Sequence, residues 1–562
     1  MQSSNGYADG YSSYQQTDMY APNGHSWPAS AGHSGSDRHS VAALVHQSSG
    51  SSSHHPVSAS PSSGTAIQSG APYLAANVPS ASPGSIAGVG KIDLGLQRMV
   101  ALMQFLSPLR TPAIHLSGTN GKGSVSAMLE SILRCAGLNT ARYNSPHLLE
   151  PRDAIALNGQ PPSAEEYHAV LAHVQAVSHE NNIQATTFEI ATATAYEVIS
   201  RYGPDVMIIE CGMGGIGDAT NVIPPTLILA SGLTSVGLDH TAFLGDTLEA
   251  ITSKKAGIAV KDGLMVIGPQ LYNGVARTAM QTAQANGART IYADRAMDLS
   301  GKQSVLDLDS STRLPTRHIR VQTHTGGIEC ELGLAGECQL DNASLAINII
   351  AAIRADQRAL TILPRLKQVK DGAVVVGVRE TRWKGRCELL RYPSPFGRPG
   401  DSGMAVLVDG AHNADSARGL RKYIDSLVIA PTSSTAAQTP KSNKGKGHTP
   451  LKITWILGLS DSKGKTIESV LEPLIRRGDD VLTTSFSPVE GMPWVQPVKP
   501  EVVALASMNL SGKRVEVCRN VREALMAVER LDSERGQKGL TVVAGSLYLV
   551  ADFYRLMPGQ GH

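Results

Sequence analysis

The 562-residue sequence contains only six cysteines, and none of them forms a C-x-x-C pair. They are scattered along the chain at Cys135, Cys211, Cys330, Cys338, Cys387 and Cys518. Zinc sites and disulfide frameworks both depend on closely spaced cysteines, and this pattern fits neither of them. We therefore expect a reducing compartment and a cytoplasmic protein, with a mitochondrial pool left open.

The sequence also lacks a long apolar run and an excess of charge of either sign. No stretch approaches the roughly 18 apolar residues that cross a bilayer, and we expect no signal peptide at the N-terminus. Lys plus Arg number 50 and Asp plus Glu number 48, which gives a formal net charge of +2. This balance favours neither nucleic acid nor a membrane surface as a partner. We expect a monomer that acts on small molecules.

Residues 1–88 have very few charged side chains and are dominated by Ser, Gly, Ala, Pro and His. The charged ones are Asp9, Asp18, Asp37 and Arg38. Such a segment cannot bury enough apolar area to offset its chain entropy, so we predict a disordered tail. A single arginine is also too little for an amphipathic mitochondrial presequence.

The stretch from Ile114 to Ser124, with the sequence IHLSGTNGKGS, has the pattern of a strand, a glycine loop and a helix. Its spacing differs from the common P-loop, because a glycine stands between the lysine and the serine. Backbone N–H groups of such a loop bind phosphate, a lysine adds positive charge and a hydroxyl can bind magnesium. We predict that a bound phosphate contacts Gly118, Thr119, Asn120, Gly121, Lys122, Gly123 and Ser124; that it belongs to ATP is implied by the family resemblance given below.

Strands alternate with helices beyond this loop, which predicts a doubly wound, mostly parallel sheet. Ligands of such sheets bind beyond the carboxyl ends of the strands. Ser145, Glu210 and His240 each follow a predicted strand, so one cleft can gather them. Glu210 points to function by itself, because a carboxylate that ends an apolar strand is costly to bury without a cation. Taken alone, Ser145 indicates a turn and His240 a helix cap.

The same alternation predicts two folded domains after the tail. We assign residues 89–378 to an ATP-binding P-loop domain and residues 379–562 to a smaller α/β domain. The smaller domain has predicted strands at 404–408, 453–457, 480–484, 515–518 and 541–544. Residues 430–450, rich in Thr, Ser, Lys and Gly, are predicted to form a low-complexity surface insertion with solvated lysines.

Eight further stretches resemble those of the folate ligases, a family of the Mur ligase superfamily, in order and spacing. They are NSPHL at 144–148, FEIAT at 188–192, ECGMGGIGDATN at 210–221, LDHTAFLG at 238–245, KAGI at 255–258, WKGR at 383–386, DGAHN at 409–413 and GSLYLV at 545–550. Together they span nearly all of the chain from about residue 92 to 557. The resemblance implies a Mur-ligase-like P-loop domain followed by a Rossmann-like α/β domain.

The resemblance also implies a reaction. In these enzymes ATP phosphorylates a pteroate carboxylate, and the amine of L-glutamate then displaces phosphate to leave an amide. VEGMPW at 489–494 is similar to the fungal dihydrofolate synthase branch, which uses dihydropteroate. Folylpolyglutamate synthase, a P-loop NTPase of another class and a catalytically inactive binding protein remain alternatives.

By the same resemblance, Ser145, Glu210 and His240 hold Mg²⁺, with Ser124 a candidate ligand of a loop-bound ion. Lys255 matches a lysine that is carbamylated in this superfamily, a modification that creates a carboxylate for a second Mg²⁺. The neighbouring Lys254 leaves open which of the two lysines is modified, and whether either of them is.

The remaining implied contacts come from later stretches. Arg386 and Asp409 match residues that contact ATP, Asn342 matches one near the adenine, and His412 would face the phosphates. Arg152 is a candidate contact for the pterin. Lys122, Lys255 and His412 form the expected catalytic set, which requires the two domains to close over the nucleotide.

Overall fold

The computed structural model describes residues 95–301, 305–393, 403–429, 452–461, 466–513 and 515–557. The predicted disordered tail at 1–88 and the predicted insertion at 430–450 lie outside these residues. The first helix precedes the first sheet. It runs from Gln97 to Met103 and is named α1.

The first sheet has seven strands, and their order along the sheet is β3-β2-β4-β1-β5-β6-β7. All neighbours are parallel except β2 and β3. The strands are β1 (Ala113–Ser117), β2 (Thr140–Tyr143), β3 (Ile155–Leu157), β4 (Val206–Glu210), β5 (Ile228–Leu233), β6 (Leu264–Ile267) and β7 (Arg289–Tyr292). This confirms the predicted mostly parallel sheet, and the carboxyl ends of β1, β2, β4 and β5 meet at one edge.

Helices cover both faces of this sheet, which explains why β1 and β4 are buried along their whole length. One face packs against α2 and α8, and the other packs against α1, α3 and α4. After α1 the helices are α2 (Lys122–Cys135), α3 (Ala164–Glu180), α4 (Thr187–Tyr202), α5 (Thr241–Leu244), α6 (Leu248–Ala256), α7 (Val275–Ala285), α8 (Gln339–Ala355), α9 (Gln357–Ile362) and α10 (Asp371–Glu380).

A small antiparallel sheet, which the sequence analysis did not predict, packs against the same core. Its order is β11-β10-β8, and the strands are β8 (Met297–Asp298), β10 (Arg317–Thr323) and β11 (Gly326–Leu332). Every second residue of β10 and β11 is buried from Ile319 and Ile328 onward. This alternation is typical of a sheet with one solvated face.

The second sheet has six strands in the order β12-β13-β18-β15-β16-β17. It is parallel apart from its edge strand β12 (Glu388–Tyr392), which pairs antiparallel with β13. The others are β13 (Met404–Val408), β15 (Ile453–Leu457), β16 (Asp480–Thr483), β17 (Glu516–Val517) and β18 (Leu540–Ala544). The five strands predicted here are confirmed to within two residues, whereas β12 was missed.

Five helices accompany the second sheet. They are α11 (Ala414–Ser426), α12 (Ile467–Leu474), α13 (Pro500–Ser511), α14 (Val521–Arg535) and α15 (Leu547–Arg555). In the part of the chain that the structure describes, no helix is both long and apolar enough to span a membrane.

One segment of the first predicted domain packs on the second core. Leu306, Leu308 and Leu314 belong to the apolar cluster of the second sheet, and β9 (Val305–Leu306) pairs with β14 (Val428–Ile429). The chain therefore crosses to the second core before the predicted boundary at 378/379, and the boundary itself stays a prediction.

Candidate active site

The phosphate loop connects β1 to α2 at the edge where the strand ends meet. Two of its glycines have positive φ angles, +144° at Gly118 and +95° at Gly121, and each faces a neighbouring side chain. A Cβ at Gly118 would lie 1.8 Å from Oγ1 of Thr234, and one at Gly121 would lie 2.2 Å from Oδ1 of Asn342. Both the backbone conformation and the close packing therefore require glycine.

The N-terminus of α2 supplies the donors that a phosphate needs. The first bond within this helix runs from the N–H of Val125 to the carbonyl of Gly121. The N–H groups of residues 122–124 consequently have no partner inside the helix, which is the usual state of a helix N-terminus. Such a terminus stabilises an anion.

Lys122 and Glu210 lie side by side in the site. The Nζ atom of Lys122 is 3.6 Å from Oε1 of Glu210, and it is also 3.2 Å from the carbonyl oxygen of Gly118. Glu210 ends β4 and is 5% exposed. Burial raises the pKa of the Glu210 carboxyl, while the charge of Lys122 and a hydrogen bond from Asn144 act in the opposite direction. The predicted pairing of this carboxylate with a cation is present.

The NSPHL turn brings two polar side chains to the same place. Asn144 Nδ2 donates to Glu210 Oε2 at 2.5 Å and to Ser126 Oγ at 2.7 Å. Ser145 follows directly, and its Oγ is buried without a hydrogen-bond partner. A buried hydroxyl without a partner is unusual and needs an explanation.

The structure separates the two adjacent lysines of α6. Lys255 is 2% exposed, and its Nζ donates to the carbonyl of Gly118 at 2.8 Å. Lys254 points elsewhere, donating to the carbonyl of Phe243 at 3.0 Å. Burial, assisted by the charge of Lys122, lowers the pKa of Lys255 to about 7. Lys255 is therefore the one that reaches the phosphate loop.

His240 lies at the start of α5 with a positive φ of 53°. Its ring Nε2 is 4.0 Å from Oδ1 of the preceding Asp239, and the ring is 41% exposed. The described residues contain no group of three or more His, Cys, Asp or Glu side chains that could hold a metal. The predicted magnesium ligands are Ser145, Glu210 and His240, and a serine is not one of the four residue types in such a group. The magnesium site therefore stays a prediction.

Arg386 and Asp409 lie close together. They come from the segments around the second sheet, from Trp383 onward, which we call the second region. A Cβ at Gly410 would be 2.4 Å from Nη1 of Arg386, so the guanidinium rests against this glycine. Arg386 is also near enough to Glu210 for its charge to lower the pKa of that carboxyl. Asp409 accepts backbone hydrogen bonds from Cys387 and Ala411, each at 2.8 Å. Asp409 thus ties the WKGR and DGAHN turns together.

Two residues that follow Asp409 meet the phosphate loop and the LDHT turn. Asn413 Nδ2 donates to Oδ1 of Asn120 at 3.0 Å, and Asn120 Nδ2 donates back at 3.4 Å. Nε2 of His412 lies 4.0 Å from Oδ2 of Asp239. These contacts join the two regions at the predicted nucleotide site.

Asn342 and Ser124 are linked through one glutamine of α8. Gln339 Nε2 donates to the Ser124 hydroxyl at 3.2 Å, and Gln339 Oε1 accepts from Asn342 Nδ2 at 2.9 Å. Asn342 is therefore linked to Ser124 of the phosphate loop through Gln339.

Arg152 is held within its own segment. Its Nε pairs with Glu150 at 2.7 Å, and its Nη1 donates to the carbonyl of Pro162 at 3.1 Å. A role in pterin binding stays a prediction.

Several residues of the site escaped the sequence analysis, namely Asn144, Asp239, Gln339 and Asn413. Asn144 and Asn413 stand inside the stretches that carried the resemblance, so their positions could have suggested them. Gln339 gives no local signal, because its partner Ser124 is 215 residues away in the chain.

Two protein families match successive parts of the chain. Residues 116–350 match the Mur ligase middle domain, and residues 397–556 match the dihydrofolate synthetase C-terminal domain. The probable dihydrofolate synthetase of Schizosaccharomyces pombe is 32% identical over 469 residues, which cover 83% of this chain and 99% of that protein. The dihydrofolate synthetase of Saccharomyces cerevisiae is 28% identical over 470 residues, covering 83% and 98%.

A solved structure shares the fold. Folylpolyglutamate synthase of Mycobacterium tuberculosis, in complex with ADP and AMPPCP, superposes with a TM-score of 0.65 at 26% identity and covers 83% of this chain and 96% of its own. The matches continue from the phosphate loop through the second sheet, as the eight stretches of the sequence do. The chain therefore belongs to the folate ligase family, which comprises the dihydrofolate synthetases and folylpolyglutamate synthases of the Mur ligase superfamily.

Proposed function

We propose that this protein is an ATP-dependent dihydrofolate synthase, which joins L-glutamate to dihydropteroate. The observation that carries the choice of branch is the match of residues 397–556 to the dihydrofolate synthetase C-terminal domain, a range that includes the VEGMPW stretch. The two fungal relatives, matched over almost their whole length, bear the same name.

The reaction has two steps. The pteroate carboxylate attacks the γ-phosphorus of ATP, the bond to the β-phosphate oxygen breaks, and an acyl phosphate and ADP result. The glutamate amine then attacks the acyl carbon, loses a proton and expels inorganic phosphate. A free carboxylate is a poor electrophile, so phosphorylation must come first, and the protein acts mainly by positioning and charge neutralisation.

The residues on the two sides of the site share this work. The N-terminus of α2 and Lys122 would bind the phosphates of ATP, and the 3.6 Å pair with Glu210 keeps the lysine in place beforehand. Arg386 would approach the same phosphates from the second region, beside Gly410. Asn342, which packs on Gly121, would lie by the adenine, and His412 would face the phosphates. Closing this site excludes water, which would otherwise hydrolyse the acyl phosphate.

The chemistry of Ser145 and Glu210 fits a magnesium ion. Both supply oxygen, the ligand that Mg²⁺ prefers, and the buried Ser145 hydroxyl has no other hydrogen-bond partner. His240 would complete this set, and the Ser124 hydroxyl is a second candidate. When bound, the ion would neutralise charge that develops on the transferring phosphoryl group.

Lys255, and not Lys254, is the residue we propose to be carbamylated. An amine attacks CO₂ only when it is neutral, and the lowered pKa of about 7 leaves a large neutral fraction of Lys255 near pH 7. Carbon-13 NMR of protein equilibrated with ¹³CO₂ should show a carbamate signal that Lys255→Arg removes and Lys254→Arg keeps. The reverse result would assign the modification to Lys254.

A substrate comparison tests the proposed function. Purified protein with ATP, Mg²⁺ and L-glutamate should release phosphate when dihydropteroate is added, and the product should be dihydrofolate. Tetrahydrofolate in place of dihydropteroate tests folylpolyglutamate synthase, the second candidate, which the name of the structural relative supports. Release with tetrahydrofolate alone would overturn the choice of branch.

A further inference from the structure

We propose that Arg142 and Asn144 are positioning residues that orient Glu210 toward its cation, and that Trp383 holds Arg142 in place. The inference rests on the proposed function in one respect, the use of Glu210 as a ligand of magnesium. Arg142, Asn144 and Trp383 are not among the contacts that the family resemblance implied for this chain.

Asn144 has one end on Glu210 and the other on Arg142. Its Nδ2 donates to Glu210 Oε2 at 2.5 Å, and its Oδ1 accepts from Arg142 Nη1 at 2.6 Å. A guanidinium can only donate hydrogen bonds and a carboxylate can only accept them. One orientation of the amide therefore satisfies both neighbours, and Arg142 holds the oxygen end of Asn144 while its nitrogen end donates to Glu210.

Arg142 is held at a second point of its guanidinium. Its Nε donates to Glu130 Oε2 at 2.7 Å, and the two side chains are 12% and 5% exposed. A planar guanidinium can reach Glu130 and Asn144 together, whereas the single nitrogen of a lysine cannot reproduce that fixed geometry. Replacement by lysine would thus keep the charge and lose the orientation.

Trp383 covers this guanidinium. The Cζ of Arg142 lies 4.4 Å from the centre of the Trp383 ring, which is within the range of a cation–π contact. The same ring lies against the phosphate loop, since a Cβ at Gly123 would come within 2.9 Å of it. Trp383 stands three residues before Arg386. One ring of the segment that carries Arg386 consequently touches both the phosphate loop and the positioning arginine.

This arrangement sets the orientation of the carboxylate. Asn144 occupies Oε2 of Glu210, and Oε1 is left on the side of Lys122 at 3.6 Å. Without Arg142, the oxygen end of Asn144 would lose its anchor, and the amide could turn away from Oε2 of Glu210. Removal of residues that orient metal ligands typically weakens metal binding by about 10- to 100-fold.

Direct metal binding tests the inference. Full-length protein with AMPPCP is titrated with Mn²⁺ and followed by electron paramagnetic resonance, which needs no folate substrate. We expect Arg142→Lys and Arg142→Gln to weaken Mn²⁺ binding about tenfold or more. The Mg²⁺ concentration for half-maximal turnover should rise by a similar factor, while the KM for ATP at saturating Mg²⁺ changes less than about threefold.

Arg421→Lys is the matched control. Arg421 is also a buried arginine, 10% exposed in its side chain, and it pairs with Asp479 at 2.6 Å in the second region. The Arg421→Lys substitution should lower the melting temperature, as Arg142→Lys does, and leave the Mn²⁺ affinity unchanged. Trp383→Phe keeps a ring over Arg142 and should retain most of the affinity that Trp383→Leu loses.

Two outcomes would overturn the inference. One is unchanged Mn²⁺ affinity in folded Arg142→Lys and Arg142→Gln proteins. The other is an equal loss in Arg421→Lys, which would indicate a general loss of stability. Failure of the proposed function would look different. Dihydropteroate would then give no turnover, while the native protein would still bind Mn²⁺ with AMPPCP and the Arg142 variants would still bind Mn²⁺ more weakly.

Discussion

The two sides of the candidate site hold their residues in different ways. On the side of the first sheet, Glu210 and Lys255 are buried and bonded to neighbours at 2.5 and 2.8 Å. On the side of the second sheet, the His412 ring is 40% exposed and stands 4.0 Å from Asp239. The contrast concerns single groups, because the His240 ring on the first side is 41% exposed and Asp409 on the second side accepts two backbone hydrogen bonds at 2.8 Å. Glu210 and Lys255 are held before any ligand arrives, whereas the exposed His412 ring has room to adjust when the nucleotide binds.

Polar contacts join the two sides beside the phosphate loop, although Leu149 also packs into an apolar cluster of the second sheet. Asn413 bonds to Asn120, and Tyr272 donates to Asp415 at 2.7 Å. Polar contacts of this kind can break and form again at little net cost in free energy, in contrast to a buried apolar interface. Substitutions on the first side should then abolish activity, and substitutions on the second side should weaken nucleotide binding by smaller factors.

The largest effect is expected for Lys122→Ala on the organised side. The variant removes the cation beside Glu210 and the charge that would stabilise the phosphates, so turnover should fall at least about 100- to 1,000-fold. Glutamate-dependent phosphate release measures it. Lys254→Met removes one positive charge from α6, outside the loop, and should retain most activity. Comparable loss in both would mean that the phosphate site lies elsewhere.

A pH-dependent effect should follow from the burial of Lys255. Its pKa is about 7 in the folded protein, and an unperturbed lysine, as in the unfolded chain, has a pKa of 10.5. Between these pH values the unfolded chain therefore binds more protons at this site than the folded protein does. The free energy of unfolding of the native protein should therefore rise with pH relative to Lys255→Met, by up to about 1.4 kcal/mol per pH unit, or about tenfold in the equilibrium constant.

Denaturant unfolding at pH 7, 8 and 9, in buffers free of CO₂, measures this difference. Below pH 7 the lysine is protonated in both the folded and the unfolded state. The free energy of unfolding of the native protein, relative to Lys255→Met, should therefore become constant there, at its lowest value. A difference between native and variant that stays flat from pH 7 to 9 would falsify the assignment of a depressed pKa to Lys255.

Asn413→Asp tests the junction between the two sides. Aspartate can still cap α11 by accepting from the N–H of Ser416, as Asn413 does at 3.0 Å. It cannot donate to Asn120, and it places a second carboxylate near Asp239. We expect the KM for ATP to rise about tenfold and the melting temperature to fall, because Asn413 and Asp239 are both buried and two carboxylates there repel each other.

The control for this variant makes the same change at another helix. Asn520 caps α14, where its side chain accepts from the N–H of Glu523 at 3.0 Å on an exposed surface. Asn520→Asp should leave the KM for ATP unchanged. If Asn413→Asp behaves in the same way, the Asn120 contact plays no part in nucleotide binding.

A different contrast, between buried parallel strands and antiparallel strands, explains what the sequence could and could not predict. The parallel strands were predicted because they contain short apolar runs, as in Val206–Ile209, and the phosphate loop was predicted from its glycines and lysine. The β10–β11 pair was missed because its apolar residues alternate with polar ones, and β12 was missed because its apolar run of two leucines is short and flanked by Glu388 and Arg391. Buried strands of a central sheet carry the stronger local pattern.

Site residues divide along another line. Lys122, Glu210 and Lys255 could be named from their motifs, but their contacts could not. The sequence does not reveal that Asp409 binds the backbone N–H groups of Cys387 and Ala411, because that contact depends on how two separate turns pack. Nor does it distinguish Lys254 from Lys255, which differ in burial and not in type.

The smallest effect is expected for Gly410→Ala on the adjustable side. The new Cβ would meet Nη1 of Arg386 at 2.4 Å, but this atom is the far end of a flexible side chain and can move. Displacement of the guanidinium should raise the KM for ATP about two- to fivefold and leave the melting temperature nearly unchanged. In Gly419→Ala the Cβ would meet nothing within 4 Å, so nucleotide binding should stay as in the native protein. A large loss of stability in Gly410→Ala would instead show that the second side is packed as rigidly as the phosphate loop, and the contrast between the two sides would then fail.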